Sequence, residues 1–189
     1  GVNVGLIINP DTKWNWIKEF YEGVCEALSY YGGVILGGDC SKGIKNAISV
    51  TAIGFQGALN LRRYAAQPED LIITTGSHGL SKLGYLLKTN KIEKNINKLS
   101  KDLIKQSLDA FQRPRPSQAF IKNIIKSRLN TDHTEIGCTD SSDGFYQAIN
   151  DLAVTSKCKA IIDYKKLPMH KNWPIGNNWD NYYFYGGED

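Results

Sequence analysis

The sequence predicts a mixed α/β protein of the α+β kind, divided into two units near Gly57. Short β-branched runs end at glycine-rich turns, and amphipathic segments with helical spacing follow them. Between Gln56 and Pro68 the apolar pattern lapses into small, basic and polar residues, which marks the boundary.

Val2 to Ile8 reads as a strand. Asn9-Pro10-Asp11 breaks it before a helix that Asp11 or Thr12 would N-cap. Ile17, Phe20, Tyr21, Val24, Leu28 and Tyr31 fall on one helical stripe suited to lie on a sheet, and Gly32-Gly33 ends the helix. Val34-Ile35-Leu36 then forms a short buried strand running into Gly37-Gly38-Asp39, and a β-branched strand follows from Ala47 to Phe55.

In the second unit the apolar run from Leu71 to Thr75 turns at Gly76 into a helix near Leu80 to Leu87. Arg113-Pro114-Arg115-Pro116 cannot lie inside a helix, because each proline lacks an N–H and constrains its predecessor. It introduces a helix from Ser117 to Leu129. Asn130 to His133 lead into a strand that ends at Thr139-Asp140-Ser141-Ser142-Asp143-Gly144, and Phe145, Ala148, Ile149 and Leu152 form the apolar stripe of the next helix. Ala160 to Asp163 and the aromatic run Tyr182 to Tyr185 read as further strands.

A chain of 189 residues with 41% hydrophobic and 22% charged residues can bury a sizeable core. No run approaches the ~18 apolar residues of a membrane span, so no membrane partner is expected. Cys25, Cys40, Cys138 and Cys158 are far apart and form no CxxC pair, which fits reduced thiols in a cytoplasmic protein. The net charge of +4 comes largely from Lys88 to Lys105. That stretch has no aromatic residue on which bases could stack, so it reads as a solvated surface and nucleic acid is set aside. Residue 1 already belongs to a strand-like run and the chain stops just after another, so an internal stretch of a longer protein is expected.

The acidic turn from Thr139 to Gly144 stands where a strand meets a helix N-terminus, a place whose free N–H groups favour an anion. Asp140 and Asp143 crowd the same place. Either Ser142 or Asp143 caps the helix, or the two carboxylates hold magnesium beside phosphate oxygens. Gly37-Gly38-Asp39 has a similar ambiguity between a plain turn and a backbone that approaches a ligand. Gly186-Gly187-Glu188-Asp189 repeats the pairing of glycines with acids. Arg63 is the foremost candidate for a phosphate clamp, with Arg62, Arg113 and Arg115 as rivals. His78, His133 and His170 show no ligand spacing and no nucleophile partner, so nothing points to covalent chemistry.

Taken in order, Gly37-Gly38-Asp39, Leu61-Arg62-Arg63 with Pro68-Glu69-Asp70, Thr75-Gly76-Ser77, the acidic turn and Gly186-Gly187-Glu188-Asp189 resemble the thiamine-monophosphate kinase family. The resemblance covers essentially the whole chain. It implies the two-domain aminoimidazole ribonucleotide synthetase-like fold, with residues 1–57 as the end of an N-terminal ATP-binding and dimerisation domain and 58–189 as most of the C-terminal domain. It implies Mg-dependent transfer of the ATP γ-phosphate to thiamine monophosphate by a homodimeric full-length enzyme. By position, Gly38, Asp39, Arg63 and Ser142 are similar to its ATP contacts, Asp39, Asp140 and Asp143 to its Mg2+ ligands, and Glu188 to its substrate contact. The chain departs from the family pattern at Cys40, Ser41 and Lys42, where a lysine replaces an arginine's fork. It departs again at Gly79-Leu80. The family's further metal and substrate ligands fall before residue 1 and after residue 189, so the stretch alone is expected to be inactive. The rival readings are another synthetase of the superfamily and a non-catalytic nucleotide-binding paralogue.

Overall fold

The computed structural model describes residues 1–57, 59–92, 99–128 and 134–187, in two units, Gly1–Gly57 and Ala58–Asp189. In the first, β1 (Val2–Ile8) is the middle strand of three, with β2 (Ile35–Lys42) parallel on one side and β3 (Ala47–Ala52) antiparallel on the other. Helix α1 (Trp14–Tyr31) half-buries the six residues of the predicted stripe and exposes the rest. Its Tyr21 hydroxyl lies near the Cys40 thiol, so that face of β2 looks toward the helix. Val4 and Leu6, on the middle strand, are the fully buried residues of this unit.

The details differ from expectation in three places. The N-cap of α1 is Lys13. Thr12 instead donates its hydroxyl to Asn46 Oδ1 at 2.8 Å, and Asn9 Oδ1 closes the turn by accepting from the Asp11 N–H. Strand β2 is exposed along its length rather than buried, and Gly37-Gly38-Asp39 lies inside it rather than at its end. It is an edge strand, and its third and fourth residues, Gly37 and Gly38, have no side chain to bury. Strand β3 stops at Ala52, opposite Val2, three residues short of the expected Phe55, and the Ile53 N–H still donates to the Gly1 carbonyl at 2.9 Å.

In the second unit, β4 (Asn60–Arg62) and β5 (Glu135–Gly137) form a two-stranded parallel sheet. The core is helical. α2 (Leu80–Lys88), α3 (Lys101–Gln112), α5 (Phe145–Thr155) and α6 (Asn177–Tyr185) supply Leu83, Leu103, Phe145 and Tyr183, and Leu99 and Trp173 complete the cluster. Ser100 caps α3 by accepting from the Leu103 N–H at 3.2 Å. α4 (Gln118–Arg128) follows the Arg-Pro-Arg-Pro segment.

Here too some expectations fail. No strand forms at 71–75, where Leu71, Ile72 and Ile73 are exposed, nor at 160–163, where Asp163 instead caps the short 3-10 turn Tyr164–Lys166. The run Tyr182 to Tyr185 is helical, the last turns of α6. Strand β4 was hidden by its polar residues and its length of three.

Candidate functional site

Parallel pairing of β4 with β5 aligns Arg62 with Gly137, so both strands deliver their next residues on the same side. The Cys138 N–H extends the ladder by donating to the Arg62 carbonyl at 3.0 Å. Arg63 leaves one strand end and Asp140 leaves the other, and the Arg63 Nη2 lies 3.2 Å from Asp140 Oδ1. Nη1 reaches toward Asp151 Oδ2 on α5 at 3.9 Å. Loops beyond the carboxyl ends of parallel strands are where α/β proteins place ligand groups.

The Arg63 backbone is held as well as its side chain. Thr155, the last residue of α5, donates its hydroxyl to the Arg63 carbonyl at 2.6 Å, and the Ser156 hydroxyl donates to the same oxygen at 3.1 Å. Arg62, by contrast, faces Glu135 at 3.9 Å across the strand pair.

The acidic turn closes through the Gly144 N–H, which donates to the Ser141 carbonyl at 2.8 Å. Gly144 is the N-cap of α5, with φ 97° and ψ 157°, and no side-chain cap hydrogen bond forms. Such a φ suits glycine alone. Capping by Ser142 or Asp143 is therefore not what the structure shows: Ser142 turns its hydroxyl to Asp140 Oδ2 at 2.5 Å, and Asp143 is exposed. The Ser142 hydroxyl, a backbone N–H and the Arg63 guanidinium together hold the Asp140 carboxyl below its ordinary range. Burial, with the Asp140 charge nearby, pushes the Cys138 thiol up.

The donors at this turn are all oxygens, which suits a hard cation that keeps waters and phosphate oxygens in its shell. Among the described residues no three His, Cys, Asp or Glu side chains converge as a ready-made metal cage. One or two carboxylates beside substrate phosphates is the arrangement magnesium commonly accepts, so the residues fit it.

In the first unit, Asp39 sits opposite Gly5 of β1, on the sheet face away from Cys40 and α1. It accepts from the Ser41 hydroxyl at 3.0 Å and lines a groove with Gly5, Ile7, Ala47 and Ser49. Gly38 presses on its neighbour strand, since a Cβ there would run into the Val4 carbonyl. Glu188 and His133 lie outside the described residues. Sequence reasoning missed Asp151, Thr155 and Ser156, whose role depends on α5 passing β4, a tertiary fact with no local signal.

No protein-family model matches the chain. Thiamine-monophosphate kinase of Prochlorococcus marinus is 41% identical over 191 residues, covering all of this chain and 57% of that protein. That of Synechococcus elongatus is 29% identical, covering all of this chain and 56% of its own length. The structure described as AaThiL complexed with AMPPCP and TMP superposes with a TM-score of 0.76 at 24% identity, over 98% of this chain and 58% of that one, and so shares the fold. The chain thus spans a little over half the length of the relatives it matches, and over that length it is similar to thiamine-monophosphate kinases.

Proposed function

We propose that the full-length protein is an ATP- and Mg2+-dependent thiamine-monophosphate kinase, a cytoplasmic homodimer that forms thiamine diphosphate. In this reading residues 1–57 end its ATP-binding and dimerisation domain, and 58–189 make most of its C-terminal domain. This reading assigns the protein no nucleic-acid and no membrane partner. The names of the relatives and the ligands of AaThiL support the substrates. The observation that carries the reading is the meeting of Arg63 with Asp140 beside the N-terminus of α5.

Phosphoryl transfer needs positioning and charge neutralisation more than covalent help. Arg63 presents a guanidinium fork to phosphate oxygens. Asp140 and Asp143 hold a cation at the acidic turn, Asp39 is a Mg2+ ligand on the first unit, and Ser142 fixes the Asp140 carboxylate while contacting ATP. Gly38, which packs β2 on β1 next to Asp39, brings its backbone to ATP, and Glu188 contacts the thiamine moiety. Bound Mg2+ would neutralise charge on the phosphate oxygens. An oxygen of the acceptor monophosphate attacks the γ-phosphorus in line, forming the new P–O bond as the bond to the ADP oxygen breaks.

The test supplies the full-length protein with ATP, Mg2+ and thiamine monophosphate and separates products by chromatography. Thiamine diphosphate is expected, and Asp143→Asn should reduce its rate by roughly 10²-fold or more. Turnover only with a different acceptor would reject the kinase but keep a related synthetase, and full activity of Asp143→Asn would remove that residue from the metal site.

A further inference from the structure

The segment after α6 is pressed against the acidic turn. A Cβ on Gly187 would collide with the Ser142 carbonyl oxygen and stand 3.0 Å from the Ser142 carbonyl carbon and 3.4 Å from Asp143 Cα. From the other side, a Cβ on Gly144 would lie 3.1 Å from the Phe184 carbonyl oxygen and 3.2 Å from that of Gly186. All of these neighbours are backbone atoms, which cannot swing aside as a long side chain can. Gly186 leaves the segment no retreat, because a Cβ there would strike the Tyr182 carbonyl and lie 2.6 Å from Lys82 Cβ. α6 itself is anchored to α5 by ring contacts of Phe145 with Phe184 at 6.0 Å and of Tyr146 with Tyr185 at 5.2 Å.

We propose that Gly187 is a positioning residue: by seating bare backbone against Ser142 and Asp143, it sets where the Asp143 carboxylate stands and so tunes cation binding at the turn. The inference rests on the reading of Asp143 as a metal ligand given above. It assigns the paired glycines a purpose apart from substrate contact. The glycine is a stop against which the acidic turn rests, and the smallest side chain shifts that stop. Cation coordination tolerates such shifts poorly, and a 1 Å misplacement in a preorganised site can cost roughly 10²-fold.

The experiment measures Mn2+ binding by electron paramagnetic resonance in the full-length protein without nucleotide, with melting temperature recorded alongside. Gly187→Ala is expected to weaken Mn2+ binding roughly ten- to hundredfold while the protein still melts cooperatively. Should that variant not fold, one glycine inserted between Gly186 and Gly187 displaces the stop without adding a side chain, and the same weakening is expected. Asp143→Asn separates the two layers of the argument. If it loses Mn2+ and a folded Gly187→Ala or insertion variant binds as wild type, the positioning role is overturned alone. If Asp143→Asn binds Mn2+ as wild type, the metal reading falls and the role of Gly187 falls with it.

Discussion

His78 shows how far one residue's environment departs from anything its sequence neighbours announce. It is 2% exposed, its Nε2 is 2.6 Å from the Thr74 hydroxyl, and its ring stands 4.8 Å from Phe145 and 5.9 Å from Tyr183. Burial lowers its pKa from 6.5 to about 4. Between those values the unfolded chain takes a proton that the folded one refuses, so stability is constant above about pH 6.5, falls as pH drops to about 4, and then levels. A shift of that size corresponds to a loss on the order of 3 kcal/mol. Denaturant titrations at pH 7 and pH 4.5 should show it, and His78→Gln should flatten the difference; an unchanged slope would rule out His78 as its source. The turn residues Asp140, Ser142 and Asp143 were legible because they are contiguous, with glycine and a helical stripe after them. Arg63 was separable from Arg62 only by its order among motifs, until the strand pairing gave the two arginines different carboxylates.

Among elements, the helical stripes were read correctly wherever the apolar spacing was long. α1 half-buries the six residues its 3.6-residue period selects, and α5 buries Phe145 and half-buries Ala148, Ile149 and Leu152. Short aromatic or β-branched runs misled. Tyr182 to Tyr185 has strand propensity, yet as a helix it buries Tyr183 completely, with Trp179 and Tyr182 packed at the margin of the same cluster. At 160–163 the apolar residues pair with no strand among the described residues, and Ile161 is 82% exposed. Helix packing rather than sheet pairing therefore stabilises the second unit. Leu103, 0% exposed on α3, is central to that packing. Leu103→Ala should cost about 2–5 kcal/mol, read as a lower denaturant midpoint of the full-length protein, and a loss below about 1 kcal/mol would mean that the cluster collapses to fill the space.

At the scale of the whole molecule, the two units differ in how much each can hold by itself. The second has a six-residue buried cluster of Leu, Phe, Trp and Tyr, whereas the first fully buries Val4 and Leu6 and leaves Leu36, Ile44, Val50 and Phe55 more than half exposed. A peptide of residues 1–57 should show no cooperative melt by circular dichroism and should aggregate as its concentration rises, because its exposed edges invite pairing. A sharp, concentration-independent melt would refute that expectation. The grip of Thr155 and Ser156 on Arg63 carries a different consequence. α5 begins at the acidic turn and ends at the arginine's backbone, so this one helix measures the spacing between the turn's carboxylates and the Arg63 guanidinium. Adding or removing a single residue would turn its tail by about 100° and move it about 1.5 Å, unseating Arg63 without touching either charge. The candidate site thus has a built-in ruler of 11 residues, and its length sets the distance from the aspartates at its head to the arginine at its tail.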